Sequence, residues 1–78
     1  MPRVNVCIPP AQKAIRDDLR GLYGYTMNLT QIGEVLGLKW DSANKWVEGL
    51  TAYNINGRRK FRTIDIADRL WGDRIEDN

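Results

Sequence analysis

Seventy-eight residues with 42% hydrophobic side chains make one small domain, which buries only roughly 60–65% of its unfolded surface and needs a compact core. One cysteine, Cys7, and no histidine exclude an intramolecular disulfide and a His/Cys metal cluster, and leave a cysteine nucleophile without a histidine base. The net charge is +2, no apolar run approaches the ~18 residues of a membrane span and no signal-peptide core is evident, so a soluble cytoplasmic protein is expected.

Val4 to Ile8, "VNVCI", has β-type residues and reads as a short strand or an extended arm. Cys7 within it reads as a small buried hydrophobe. Pro9-Pro10 stops this run, and Pro10 suits the first helical position. In "AQKAIRDDLRGLYG", Ala11, Ile15, Leu19 and Leu22 are spaced by four, four and three. That single apolar stripe predicts a helix of about three turns, ending near Gly21 or Gly24.

"MNLTQIGEVLGL" predicts a second helix. Asn28 is its N-cap and Gln31, three residues on, completes a capping box. Ile32, Val35 and Leu36 form the buried face, and Gly37 terminates the helix as a C′ glycine. "KWDSANKWVEGL" resumes a helical pattern, with Ala43, Trp46 and Val47 on one side and Gly49 closing it. Asp41 either caps this helix or faces outward. The short connection makes the pair a helix-turn-helix. Gly33, small, stands where the crossing helices approach, flanked by Ile32, Leu36 and Leu38.

In "TAYNINGRRKFR" the period changes to two, and Asn56-Gly57 is a hairpin signal. A two-residue loop pairs Ile55 with Arg58 and Tyr53 with Lys60. A three-residue loop, 56–58, pairs Ile55 with Arg59 and Tyr53 with Phe61. The second is favoured because it stacks two aromatics on one face; it sets Arg58 at the turn, with Lys60 and Arg62 on the opposite face. "TIDIADRLWG" closes the fold as a helix, with Thr63 as cap, Asp65 in the first turn, and Ile64, Ala67 and either Leu70 or Trp71 inward. The polar "DRIEDN" after it is expected to fray.

Charge is segregated. From Gly37 to Arg62 six cations (Lys39, Lys45, Arg58, Arg59, Lys60, Arg62) face two acids (Asp41, Glu48), giving +4; the rest carries six cations against eight acids, giving −2. A basic face of this kind suits nucleic acid. The second helix of the pair is then the recognition helix. Its outward residues are Lys39, Trp40, Asp41, Ser42, Asn44, Lys45 and Glu48. Asn44 and Lys45 suit base edges, and Lys39 suits phosphate. Trp40 either stacks on sugar or thymine methyl or covers the core. Asp41 and Glu48 repel phosphate unless directed at cytosine amino groups. Asn56, Gly57, Arg58, Arg59, Lys60 and Arg62 form a basic turn for neighbouring phosphates or the minor groove. The plainer alternative is a strand edge protected by charge.

Residues 27–70, from "MNLTQIGEVLGL" through "NKWVEGLTAYNINGRRKFRTIDIADRL", resemble the MerR-like winged-helix domain of phage and transposon excisionases. The shared run is a helix-turn-helix, an "EGL" turn, a "GRRKFR"-type wing and a "DI…L" closing helix. Lys39 departs from the family, which usually has a capping serine there, and residues 1–26 lie outside the match. The resemblance implies a mostly α fold with a small β-hairpin, a winged helix-turn-helix over 27–72; the residue patterns add an N-terminal arm and helix over 1–26 and a polar tail over 73–78. The resemblance also implies binding of double-stranded DNA at repeated sites beside an attachment site, self-association on that DNA, DNA bending, and an integrase or recombinase as partner. No cofactor, metal or catalytic activity is expected. The alternatives are a small phage or plasmid transcription regulator with the same domain, and a winged helix recruited as a protein-interaction module. The long C-terminal coiled coil through which MerR regulators dimerise does not follow in these 78 residues.

Overall fold

The computed structural model describes residues 8–75; Cys7 and most of the expected Val4–Ile8 strand lie outside them. Four helices surround a small antiparallel sheet, in the order α1 (Pro10–Tyr23), β1 (Thr26–Asn28), α2 (Leu29–Leu36), α3 (Trp40–Trp46), β2 (Ala52–Ile55), β3 (Arg58–Arg62) and α4 (Thr63–Gly72). No described helix is long and apolar enough to cross a membrane.

Pro10 opens α1 at its first position, and Gly24 ends it with φ +82°, a region that glycine enters without steric cost. The inward face differs from the expected stripe. Ile15, Leu19 and Tyr23 pack on the core, whereas Ala11 is exposed and Leu22 is 72% exposed. Tyr23 continues the four-residue spacing of Ile15 and Leu19, so it displaces Leu22 from the buried line. The same side of α1 is clipped to α4 by polar contacts. Arg16 forks onto both oxygens of Asp68 at 2.8 Å, and Gln12 Nε2 donates to Asp68 Oδ1 at 3.0 Å.

The sheet has the order β1-β3-β2, so the expected hairpin is one strand short of the whole. The missing strand, β1, pairs Met27 with Phe61, and both are buried. The hairpin takes the two-residue loop instead of the favoured three-residue one: Ile55 pairs with Arg58 and Tyr53 with Lys60, while Phe61 lies opposite Ala52. Asn56 (φ +57°) and Gly57 (φ +77°) are both left-handed. That is the condition of a type I′ turn, whose twist matches the flanking strands. The correction re-sorts the charges. Arg58 starts a strand, and Arg58, Lys60 and Arg62 share one sheet face with Tyr53 and Ile55; Arg59 shares the other with Phe61.

In α2 the capping box forms as expected, with Gln31 N donating to Asn28 Oδ1 and Asn28 N donating to Gln31 Oε1. Gly37 terminates the helix at φ +70°, and Leu38 N donates to Gly33 O at 2.8 Å. A Cβ on Gly33 would stand 2.8 Å from the Leu38 carbonyl oxygen and 3.8 Å from Ala43 Cβ, so this close approach requires glycine. Ala43 and Val47 are buried and Trp46 is packed against the core. The last regular residue of α3 is Trp46; Gly49 turns the chain at φ +91°. Asp41 does not cap α3: Lys39 holds the N-cap position and supplies no side-chain bond.

Thr63 is likewise no cap. It is the first residue of α4 and fully buried, its Oγ1 donating to Gly24 O at 2.7 Å and its N to Tyr25 O at 2.8 Å. These bonds tie the end of α1 to the start of α4. Ile66 and Ala67 are the fully buried apolar residues of α4, while Ile64, Leu70 and Trp71 are half-buried. Thr63, Ile66 and Ala67 therefore form the inward helical stripe, and of the residues expected inward only Ala67 joins the core cluster. The core gathers Leu19, Met27, Leu29, Ile32, Ala43, Val47, Phe61, Ile66 and Ala67, one or more from every element except β2. Among the described residues no buried side-chain polar atom lacks a partner.

Candidate nucleic-acid interface

Helix α3 is positioned from both ends. Its start is set by the turn that Gly33 admits. At its end, Arg69 of α4 donates through Nη1 to Trp46 O at 2.8 Å and to Glu48 O at 2.7 Å. A guanidinium here satisfies carbonyls that the helix leaves open and complements its negative end. Trp46 Nε1 donates to Asp73 Oδ2 at 3.0 Å. Nothing in the local sequence around Arg69 marks this role, because its partners lie more than 20 positions away.

With its inner side fixed, α3 leaves Lys39, Trp40, Asp41, Ser42 and Lys45 exposed and Asn44 half-buried. Trp40 is 60% exposed and lines a shallow cleft with Leu29, Gly33, Gly37 and Leu38; it does not cover the core, which Ala43 and Val47 fill. Glu48 is exposed one turn beyond Asn44.

Arg59 hydrogen-bonds the hairpin to α3. Arg59 Nη2 donates to Asn44 Oδ1, and its guanidinium lies 5.4 Å from the centroid of Phe61. Asn44, Glu48, Ala52, Arg59 and Phe61 thus share a cleft between helix and sheet. The structure therefore brings Asn44 and Arg59 together, with Lys39, Ser42 and Lys45 on the exposed side of the same helix. Asn56 and Gly57 form the exposed tip. Arg58, Lys60 and Arg62 occupy the sheet face turned away from Phe61.

The cations differ in whether they are already paired. Lys13 meets Asp17, Arg16 meets Asp68, and Arg62 meets Asp65. Arg62 forks onto Asp65 at 2.9 and 3.1 Å, and that carboxylate, with the Tyr25 hydroxyl second, holds its guanidinium charged more firmly than usual. Lys39, Lys45, Arg58 and Lys60 form no side-chain hydrogen bond or ion pair among the described residues. Apart from Arg20 on α1, the described cations without a partner belong to α3, its N-cap or the hairpin.

Comparison of the chain with protein-family models, with curated proteins and with solved structures finds no match.

Proposed function

We propose that this chain is a winged helix-turn-helix that binds double-stranded DNA, with α3 entering the major groove and the β2–β3 hairpin as its wing on neighbouring phosphates or in the minor groove. The observation that carries the reading is the Arg59–Asn44 contact. It joins hairpin and helix at a cleft that Glu48 also lines, while Lys39 and Lys45 on the helix side and Arg58 and Lys60 on the hairpin's other face form no ion pair among the described residues. Unpaired cations supply the counterion-releasing contacts on which affinity for DNA rests. The excisionase resemblance of residues 27–70 refines the proposal: the protein binds repeated sites, bends them and directs a recombinase. Footprinting across the protein's own genomic neighbourhood tests it, with protected repeats beside an attachment site expected. Protection of a promoter alone supports a transcription regulator instead.

One observation favours a second reading, a protein-interaction module. Tyr53 and Ile55 are 40% and 45% exposed on the outer sheet face, beside Arg58 and Lys60. On that reading no duplex is protected at any site.

A further inference from the structure

We propose that Arg59 is a positioning residue that fixes the polarity of the Asn44 side chain, so that α3 reads a base with a major-groove acceptor there and rejects cytosine. The inference rests on the DNA-binding reading above.

A carboxamide has an accepting oxygen at one end and a donating NH2 at the other, whereas a guanidinium only donates. Arg59 engages Asn44 Oδ1. Flipping the amide would set N–H donors against N–H donors beside a positive charge. Arg59 is itself held, since strand pairing places it opposite Asn54 and its guanidinium rests over Phe61, a ring only 2% exposed. Asn44 is half-buried in the cleft it shares with Arg59 and Phe61. The NH2 end is therefore the one left free for a ligand.

In the major groove adenine, guanine and thymine each present an acceptor, and cytosine presents only its amino donor. Free rotation of the amide would erase this discrimination, since the oxygen could then turn toward cytosine.

Selection from a pool of random duplexes by the full chain tests the assignment. The wild type is expected to exclude cytosine at one position, and Asn44→Ala to lift that exclusion there alone. Arg59→Met, which keeps an apolar stem over Phe61 and removes the donors, should admit cytosine at the same position, a change of about 5- to 150-fold. Arg59→Lys, still a pure donor, should retain the exclusion. Asn44→Asp presents an oxygen to the base and should turn the preference toward cytosine. If Arg59→Met weakens binding equally on all sequences while cytosine stays excluded, the positioning role is overturned and Arg59 is a phosphate contact; DNA binding then stands. A wild type that binds DNA with no sequence preference overturns the polarity assignment alone, and one that binds no DNA overturns the functional reading itself.

Discussion

Lys39 occupies the N-cap of α3 without capping it, and this separates stability from binding at a single position. A serine at an N-cap accepts a hydrogen bond from the first turn, worth about 0.5–2 kcal/mol relative to a residue that cannot. Lys39→Ser is therefore expected to stabilise the fold by about 1 kcal/mol while weakening DNA binding, because it removes an unpaired cation. Denaturant unfolding and a binding titration on the same variant check both signs. Arg58 and Lys60 give the complementary case, since neither forms a side-chain hydrogen bond or ion pair among the described residues. Each neutralised phosphate contributes a slope of roughly −0.9 in log K against log salt. Arg58→Ala and Lys60→Ala should each flatten that slope by about one unit, with melting temperature unchanged. A double variant with wild-type affinity and slope would remove the hairpin from the interface. Arg62 should contribute less than either, because Asp65 already occupies its fork.

Elements were legible in the sequence where local chemistry decides them. Asn28 and Gln31 cap α2, Pro10 starts α1, and Gly37 ends α2, since each needs only neighbours within one turn. The hairpin register departs from the expected one for the converse reason. Pairing Tyr53 with Phe61 favours the hairpin taken alone, but Phe61 is required in the core against Met27 of β1, a three-residue strand with no turn signal of its own. Asn56-Gly57 already held the answer, because two left-handed residues fit a two-residue loop. Gly57→Ala places a Cβ in that region and is expected to cost roughly 1–2 kcal/mol, read as lost hairpin protection in hydrogen exchange. Gly33 tests the α2–α3 crossing. Gly33→Ala must push the Leu38 carbonyl, a backbone atom, from 2.8 Å. Overpacking of this kind costs about 1–3 kcal/mol. As α3 moves with that carbonyl, DNA affinity should fall further than the loss of folded protein explains.

On the scale of the whole molecule, two architectural features set expectations. The first is the seam between α1 and α4, which the sequence left open because Arg16 and Asp68 are 52 positions apart. Hydrogen bonds from Arg16 foremost, opposed by burial, hold the Asp68 carboxyl below its ordinary value of 3.8. A carboxyl depressed in the folded state stabilises above its unfolded pKa, and that contribution fades as pH falls through the folded one. Asp68→Asn should therefore lower the melting temperature at neutral pH, and the two melting curves should converge as pH falls through the depressed folded-state pKa. The second feature is the disposition of apolar surface. The large apolar side chains exposed on the described helices are Leu22 and Trp40, one on α1 and one on α3, so no described helix offers the continuous seam that a coiled coil needs. A monomer at micromolar concentration is expected. On the proposed DNA-binding reading, one copy of 40 × 37 × 23 Å would span about one helical turn of duplex, ~34–36 Å, and tight binding would require copies side by side on repeats, each gripping groove and backbone. Such a grip favours bent DNA, whose deformation costs about 1–6 kcal/mol and is offset only by added contacts. Sedimentation should give a monomer, and gel shifts on circularly permuted fragments should show cooperative loading of tandem repeats with bending. A free dimer that occupies one palindrome and leaves it straight would instead mark a simple repressor.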